Sequence, residues 1–386
     1  MKKNDDSTKP FLKSVHIQNF KSLHDVSLEL KPITIIVGPN SSGKSNCLEA
    51  LRFLKILLSV SELPPKSYIR DQLWVGHDTK DIKFELSLSH DDAISQYLLS
   101  LSSAQRVKTI QKEQFRVNDV NVIDVVKGKG KVKNEDGSQP VPYTSEYLAL
   151  KSAGSYGVKP ITGITSDFIQ SWQFYDVDPA AIRAEYNPGY LVRDQLDPLG
   201  GALYKNLATW SSENPYILDS INDGIKSCRS LDMVIERDKR RHLKINEGLT
   251  KLLPLSAASD GTLRLLFYLT LVHQPELPTL IGLEEPERNL HPAILTQVSS
   301  LLEELSAKTQ VVITTHSSQL LDCFSPDKLK DGSLSVILLK KKAGLGTQAV
   351  SLSEISNDKE ALNGWMSDFG IGNAVFHSQL LQDIMG

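Results

Sequence analysis

A glycine-rich segment near the N-terminus has the residue types that bind a phosphate group. Residues 38–45 read GPNSSGKS and fit the pattern G-x-x-x-x-G-K-[ST]. The glycines let backbone amides turn inward around an anion, and a helix predicted to begin near Lys44 adds the positive end of its dipole. We expect Lys44 to reach the β- and γ-phosphates of a nucleotide and the Ser45 hydroxyl to ligate Mg²⁺. The expected nucleotide contacts are Asn40, Ser41, Ser42, Gly43, Lys44, Ser45 and Asn46.

Two adjacent carboxylates close the apolar run PTLIGLEE at residues 278–285. Hydrolysis of a nucleotide needs a held metal, an oriented water and a group that takes the proton of that water. We expect Glu284 to support Mg²⁺ and Glu285 to act as the general base. The alternative is a pair of solvated acids at a strand end. An apolar strand that delivers consecutive carboxylates, in a chain with a phosphate loop, favours the catalytic interpretation.

A histidine follows a second apolar run, QVVITT at residues 310–315. An imidazole at this position, His316, could donate to the γ-phosphate and sense whether it is present. A purely structural histidine is the alternative. Because the run is the next one after the two acids, we assign His316 a catalytic role.

A second segment with anion-binding character, SAASDGTLR at residues 256–264, precedes an apolar helical run. Ser259, Gly261 and the helix N-terminus can form an anion-binding surface, and Ser259 or Asp260 can cap the helix. Capping alone is the alternative role. One nucleotide does not need two phosphate cradles, so we expect this surface to serve the ATP of another copy of the chain.

The periodicity of apolar residues predicts the elements that carry these groups. Alternation predicts half-buried strands, apolar runs predict buried strands, and recurrence at helical spacing predicts helices. Buried strands that alternate with helices imply βαβ units and a parallel sheet, so the fold class is α/β, a P-loop NTPase with a mixed or parallel sheet. The predicted strands are 14–20, 26–30, 33–37, 81–89, 278–285 and 310–316, two short strands lie in 233–246, and the predicted helices are 45–59, 261–272 and 292–305.

The order of these segments predicts the domain organisation. We expect residues 11–60 and 250–386 to form one ATPase core from the N-terminal and C-terminal parts of the chain. Residues 61–249 are then an inserted α+β region, with mixed strands followed by helices, that carries the signature or binds a partner.

Composition restricts the class of protein. The chain has 386 residues, 40% of them hydrophobic and 23% charged, which is typical of soluble globular proteins. Its net charge of −3 argues against global attraction to nucleic acid and leaves local basic patches at 127–133, 236–244 and 339–344. The odd set Cys47, Cys228 and Cys323 indicates reduced thiols. Without an apolar leader or a run of about 18 apolar residues, we expect a cytoplasmic protein without membrane contact.

The motifs, taken in order, resemble those of the ABC-type AAA ATPases of the RecF/OLD kind, a group similar to SMC heads that includes ATPase subunits of bacterial antiphage systems. The segments that carry the resemblance are LKSVHIQNFKSLHDVSLEL, GPNSSGKS, SDGTLR, LIGLEEPERNLHP and ITTHS. The resemblance implies that SDGTLR takes the place of the ABC signature and contacts ATP held by a partner subunit. It also implies that ERNLH is the D-loop, that His316 is the switch histidine, and that ATP closes a head-to-head dimer which hydrolysis opens.

Three departures from the family pattern limit what the resemblance implies. Glu284 replaces the usual aspartate, an LSGGQ signature is absent, and Gln72 is the one weak candidate for a Q-loop residue. The missing LSGGQ disfavours a transporter subunit. After His316 there are 70 residues without a DxD-like acidic cluster, so we expect no nuclease activity of the chain itself.

Two functions from different classes remain open on the sequence. The first is a homo-oligomeric ATPase that regulates a separate effector, such as a nuclease, in antiphage defence. The second is a RecF-like ATPase of DNA repair or recombination that binds DNA or RNA directly. The second predicts phosphate contacts at Lys129, Lys131, Arg240 and Arg241.

Overall fold

The computed structural model describes residues 10–74, 81–91, 93–144, 147–153, 157–184, 195–227, 234–237, 243–246, 248, 250–357 and 360–377. The chain packs as two compact units. The first unit contains the residues up to Trp172 together with Ser335–Ile355, and the second contains Gln173–Leu334 together with the residues from Ser356 onward. The predicted division into an ATPase core at 11–60 and 250–386 and an insertion at 61–249 stays a prediction.

The described strands and helices follow one another along the chain as listed here. The strands are β1 Phe11–Phe20, β2 Leu23–Glu29, β3 Ile33–Val37, β4 Ile82–His90, β5 Ala93–Leu101, β6 Ile110–Val117, β7 Val120–Val126, β8 Lys129–Val132, β9 Val141–Thr144, β10 Gln173–Tyr175, β11 Val234–Arg237, β12 Leu243–Asn246, β13 Leu253–Pro254, β14 Leu280–Glu284, β15 Gln310–Thr315, β16 Leu334–Lys342 and β17 Gly346–Ser351. The helices are α1 Lys44–Ser59, α2 Lys66–Asp71, α3 Ala149–Ala153, α4 Pro160–Gln170, α5 Pro179–Ala184, α6 Leu203–Glu213, α7 Tyr216–Ser227, α8 Asp260–Val272, α9 Pro292–Ser306, α10 Ser318–Asp322, α11 Asp327–Lys330, α12 Leu352–Asn357, α13 Glu360–Phe369 and α14 Ile371–His377.

An antiparallel sheet dominates the first unit. Its strands lie in the order β2-β1-β4-β5-β6-β7-β8-β9. The alternation of a half-buried strand is clear in β4, where Ile82, Phe84, Leu86 and Leu88 point to the same side and are buried. The strands predicted at 14–20 and 26–30 are confirmed as β1 and β2, which pair antiparallel.

The phosphate loop of the first unit begins at a fully buried strand. All five residues of β3 are buried, β3 neighbours β16 in a sheet, and β16 pairs antiparallel with β17. Helix α1 follows and buries an apolar side that includes Leu48, Leu51, Leu54 and Leu58. The predicted order of strand, loop and helix is confirmed.

Parallel strands carry the acids of the second unit. β10 pairs parallel with β14, and β14 pairs parallel with β15. Helix α8 precedes β14 in sequence, α9 lies between the buried strands β14 and β15, and Pro292 begins α9 at the predicted residue. These pairs confirm the α/β class, with both parallel and antiparallel sheets.

Three predicted strands ended one residue too late, and the first of them, 26–30, ends at Glu29. The predicted strand 278–285 ends at Glu284, and the predicted strand 310–316 ends at Thr315. Glu285 leaves the strand because its φ is 42°, in the left-handed region that extended backbone does not use. Of the described helices, none has the length and apolar character that a membrane crossing requires.

Candidate functional site

The phosphate loop makes a tight turn between β3 and α1. Gly43 caps α1 with φ 107°, and Ser41 has φ 65°. A Cβ at Gly43 would lie 2.4 Å from Thr347 Oγ1 and 2.8 Å from Ser22 Oγ. Position 43 therefore requires glycine both for its backbone angle and for the space around it.

The lysine of the motif, Lys44, folds back onto its own loop. Lys44 Nζ donates to the carbonyl oxygens of Gly38 at 2.8 Å and Pro39 at 3.2 Å, and the residue is only 6% exposed. Asn40, Ser41 and Ser45 are exposed around it. The positive charge thus lies inside the loop, where it can meet phosphate oxygens that enter from the exposed side.

Neutral hydrogen bonds support the loop from behind. The hydroxyl of Thr347, on β17, donates to the carbonyl of Ser42 at 2.8 Å and lies 2.8 Å from Ser22 Oγ. Asn46 Nδ2 donates to that same serine oxygen at 2.8 Å, and Thr347 N donates to Ser22 O at 2.9 Å. The turn between β1 and β2 and the start of β17 therefore fix the loop shape.

The loop residues fit a phosphate and a magnesium ion. Among the described residues, Ser42 Oγ is buried and has no hydrogen-bond partner, which leaves a polar atom available to an entering ligand. The exposed Ser45 hydroxyl of the loop is an oxygen ligand of the type that Mg²⁺ prefers, and in the second unit the half-buried Glu284 carboxylate is another. Mg²⁺ bound at the loop would neutralise charge on the phosphate oxygens.

The acids lie where β14 ends in the second unit. Glu285 N donates to Thr314 O at 3.0 Å, so the backbone of β15 holds the strained residue in place. A non-glycine residue with positive φ costs free energy and persists where its surroundings require it. The strain thus fixes the direction in which the Glu285 side chain leaves the sheet.

The side chains of Arg288 and His316 hold the Glu285 carboxylate. Arg288 Nε and Nη2 each donate to Glu285 Oε2 at 3.2 Å, and His316 Nδ1 lies 3.1 Å from Oε1. Burial acts to raise the pKa of this carboxyl, but the charges and hydrogen bonds of His316 and Arg288 outweigh it, so the pKa lies below its ordinary value. Glu285 is therefore ionised at neutral pH, as a general base must be.

A third carboxylate, that of Glu287, lies next to Thr315 and His316. The hydroxyl of Thr315 donates to Glu287 Oε1, and His316 N donates to the same oxygen at 3.4 Å. The side chain is 8% exposed, and Oε2 has no partner among the described residues. Burial raises the pKa of Glu287 despite these hydrogen bonds. Glu287 therefore fixes the backbone that presents His316.

The signature-like segment is a capped helix start in the second unit. Ser259 Oγ accepts from Thr262 N at 3.2 Å, which confirms Ser259 as the cap of α8. Arg183 holds the segment, since Nη1 lies 2.7 Å from Asp260 Oδ1 and Nη2 donates to Ala258 O at 2.8 Å. A Cβ at Gly261 would lie 2.9 Å from Asn289 O, so the helix start packs closely on the turn after the acids.

The predicted site residues divide between the units. The second unit brings Glu285 and His316 into contact, and the loop residues 40–46 lie together in the first unit. Sequence reasoning missed Thr347, Arg183, Asp176 and the role of Arg288. The one available signal was the spacing of Arg288, three residues after Glu285, which suits an ion pair across one turn.

Two family models match separate parts of the chain. The model described as "AAA ATPase domain" matches residues 11–140. The model described as "AAA domain, putative AbiEii toxin, Type IV TA system" matches residues 211–322. The first contains the phosphate loop, and the second contains the signature-like segment and the adjacent acids.

Three curated relatives match the chain either over a small part of its length or at low sequence identity. The Old nuclease of Escherichia phage P2 is 25% identical over 80% of this chain and 57% of its own length. The phosphate import ATP-binding protein PstB 1 of Synechococcus sp. is 31% identical over 37% of this chain and 47% of its own length. The DNA replication and repair protein RecF of Lactococcus lactis is 36% identical over 18% of this chain and 19% of its own length. The chain thus spans about half the length of the first two relatives.

A solved structure shares the fold. An SMC head bound to the C-terminal winged-helix domain of ScpA aligns with a TM-score of 0.52 at 14% identity, over 90% of this chain and 100% of that one. At this identity the likeness shows the fold alone. The family models and the relatives support the resemblance found in the sequence, which is to ABC-type ATPases of the SMC, RecF and OLD kind.

Proposed function

We propose that the chain binds ATP with Mg²⁺ through residues 38–46 and hydrolyses it with Glu285 as the general base. The observation that carries this proposal is the Glu285 carboxylate, ionised and held between His316 and Arg288 at the end of a buried strand. An ionised, oriented carboxylate is what deprotonation of an attacking water requires. In this proposal the phosphates of ATP are bound by Lys44 and by the backbone amides of its loop.

Each side chain has one task in this proposal. Lys44 leaves its loop carbonyls for phosphate oxygens, and the backbone amides of the loop hold the remaining charge. Ser45 of the loop would ligate Mg²⁺, and Glu284 of the second unit is the carboxylate that we assign to the metal. Glu285 takes the proton of the water, and His316, in contact with the carboxylate, donates to the γ-phosphate and reports its presence to the base.

Phosphate release measures this function directly. Purified chain with ATP and Mg²⁺ should release phosphate, and both Lys44→Ala and Glu285→Gln should abolish turnover. A chain that releases no phosphate would overturn the proposal. Normal hydrolysis by Glu285→Gln would overturn the assignment of the base alone.

We further propose that Ser259 and Gly261 contact the ATP of a second copy, so that ATP closes a homodimer. The capped start of α8 offers backbone amides and a hydroxyl, and Gly261 keeps this surface free of a side chain. Ligand binding closes a dimer only when the closed state binds ATP more tightly than the open state does.

A mixing experiment tests the shared site. Lys44→Ala and Ser259→Arg should each be inactive alone. In a mixed dimer one site carries both defects and the other carries none, so mixing the two variants should restore hydrolysis. Absence of any recovery, with both variants folded and forming mixed dimers, would show that each chain completes its own site.

The biological role that we propose is control of a separate effector, such as a nuclease, in antiphage defence. The support for this role is the resemblance of the motifs to ATPase subunits of bacterial antiphage systems. The Old nuclease of phage P2 aligns with this chain over 57% of its own length. The chain alone should not cleave plasmid or linear DNA under conditions in which it hydrolyses ATP. DNA cleavage that is lost in Glu285→Gln would contradict the division of labour between two proteins.

The alternative role is direct nucleic-acid binding of the RecF kind. Lys129 and Lys131 are exposed and alternate with Gly130 on β8, so both point to the same side of the strand, and Lys133 follows it. The other predicted contacts, Arg240 and Arg241, lie outside the described residues. DNA binding that weakens with salt, and weakens further when Lys129 and Lys131 are changed to glutamine, would favour this role. Binding unaffected by these changes would count against it.

A further inference from the structure

Arg288 links the proposed base to a carboxylate from another element of the second unit. Its Nε and Nη2 both donate to Glu285 Oε2, and its Nη1 donates to Asp176 Oδ1 at 3.1 Å. Asp176 directly follows β10, the strand that pairs parallel with β14. The guanidinium therefore bridges the ends of two neighbouring strands.

This bridge distinguishes the two oxygens of the base. Oε2 accepts two N–H groups from one rigid guanidinium, whereas Oε1 has His316 Nδ1 at 3.1 Å. A carboxylate oxygen can accept two hydrogen bonds. Oε2 is thus filled by Arg288, while Oε1 keeps room for a further donor such as a water.

The backbone strengthens the arrangement. Arg288 N donates to Glu285 O at 2.9 Å, which closes the turn that follows β14. The guanidinium is anchored at both ends and has little freedom to rotate. Arg288 and Asp176 are 39% and 40% exposed, and ion pairs this exposed contribute little to stability. The Arg288–Asp176 ion pair should therefore affect the orientation of Glu285 more than the free energy of unfolding.

We propose that Arg288, anchored by Asp176, is a positioning residue that occupies Oε2 of Glu285 and leaves Oε1, beside His316, as the oxygen that accepts the proton of the attacking water. The inference rests on the proposed function, because it assigns a role within the same hydrolysis step. Orientation of this kind acts on the chemical step, since a displacement of about 1 Å can cost about 100-fold in rate.

Steady-state ATP hydrolysis by four variants tests the proposal. Arg288→Gln should lower kcat about tenfold or more and leave KM within about twofold, because the phosphate grip lies elsewhere. Arg288→Lys keeps the positive charge but lacks the two N–H groups that donate together to Oε2, so it should restore only part of the lost kcat. Asp176→Asn should lower kcat by a smaller factor. The matched control is Lys308→Gln, which breaks an exposed ion pair with Glu304 in the same unit and should leave kcat unchanged.

A double variant separates positioning from general damage. If Asp176 acts through Arg288, adding Asp176→Asn to Arg288→Gln should lower kcat no further. Independent structural damage would instead multiply the two losses and shift the thermal midpoint of each variant. Far-UV circular dichroism and thermal midpoints of all the variants should match those of the control.

The outcomes distinguish this inference from the function on which it rests. A wild-type chain without turnover overturns both. A wild-type chain that hydrolyses ATP and loses activity with Glu285→Gln, but keeps or gains kcat with Arg288→Gln, overturns the positioning role alone. A rise in KM without a fall in kcat, or multiplicative losses in the double variant, would also overturn it.

Discussion

The phosphate loop of the first unit and the acidic strand end of the second are held by different forces. Around the loop, neutral hydrogen bonds from Thr347 and Ser22 and the close packing at Gly43 fix a shape. At the strand end, ion pairs among Arg288, Glu285 and Asp176 fix a carboxylate. The difference teaches that binding at the loop should depend on a backbone shape kept by packing as well as on the charge of Lys44, whereas the proposed chemistry should fail when the charges at the strand end change.

The largest expected effect is the loss of ATP affinity in Lys44→Ala. The variant removes a buried cation that charge-assisted bonds to phosphate would use, so the dissociation constant for ATP should rise about 100-fold. Equilibrium binding of a fluorescent ATP analogue measures the change. Lys55→Ala, on the same helix, is the control and should bind as the wild type does. Equal affinity in Lys44→Ala would show that this loop is not the phosphate grip.

Gly43→Ala should weaken binding by more than tenfold without any change of charge. Its Cβ would collide with Thr347 Oγ1 and Ser22 Oγ, and its φ of 107° is strained for alanine. The same binding measurement applies. Gly364→Ala, in α13 with nothing near its added Cβ, is the matched control. Normal binding by Gly43→Ala would break the claim that shape governs this region.

Thr347→Val should have a smaller effect on the same loop. The change keeps the side-chain volume and removes the hydroxyl that donates to Ser42 O, so ATP affinity should fall by about threefold to tenfold. Thr347→Ser retains the hydroxyl and should restore most of the affinity. Equal losses in both variants would show that packing, rather than the hydrogen bond, supports the loop.

The first unit also contains a buried ionisable group, Glu113, whose effect should be on stability rather than on ATP binding. Glu113, on β6, is fully buried and accepts from Ala149 N at 2.7 Å and Leu150 N at 2.9 Å. Burial raises its pKa to about 7, and these hydrogen bonds lower it only in part. The folded state therefore holds this proton more tightly than the unfolded state does. Its stabilising effect is complete below the ordinary glutamate pKa and is lost as pH rises towards about 7.

Stability should thus fall by up to about 3 kcal/mol between about pH 4.5 and pH 7 from this group alone. Glu113→Gln cannot ionise, so its free energy of unfolding should lose this component of the pH dependence. Urea unfolding of both proteins at several pH values measures the difference. A pH profile unchanged by the substitution would show that Glu113 is not the group responsible. ATP affinity should not change, which keeps the charge effect separate from the loop.

Local patterns predicted the elements and the main residues of both regions. The strand β3, the glycine loop and α1 follow one another within 30 residues, so composition and periodicity suffice to find them. The same holds for Glu285 at the end of β14. Thr347 supports the loop from more than 300 positions away, and Asp176 reaches Arg288 across 112 positions. Such contacts depend on tertiary packing, which a local pattern does not encode.

The limits of the predicted strands have a related cause. An apolar run predicts that a strand exists, but its last residue depends on backbone angles set by neighbours. Glu285 was predicted inside the strand, and its positive φ, held by the hydrogen bond to Thr314 O, excludes it. The strain lies at the residue proposed as the base, where the chain departs from the simple pattern.

The most direct test of the central claim, that the chain binds ATP and hydrolyses it with Glu285 as the base, is product analysis of radiolabelled ATP bound to Glu285→Gln. This change removes the base and leaves the phosphate grip intact. The variant should therefore bind ATP as tightly as the wild type and keep it unhydrolysed through many wild-type turnover times. Conversion of the bound ATP to ADP at the wild-type rate would contradict the claim.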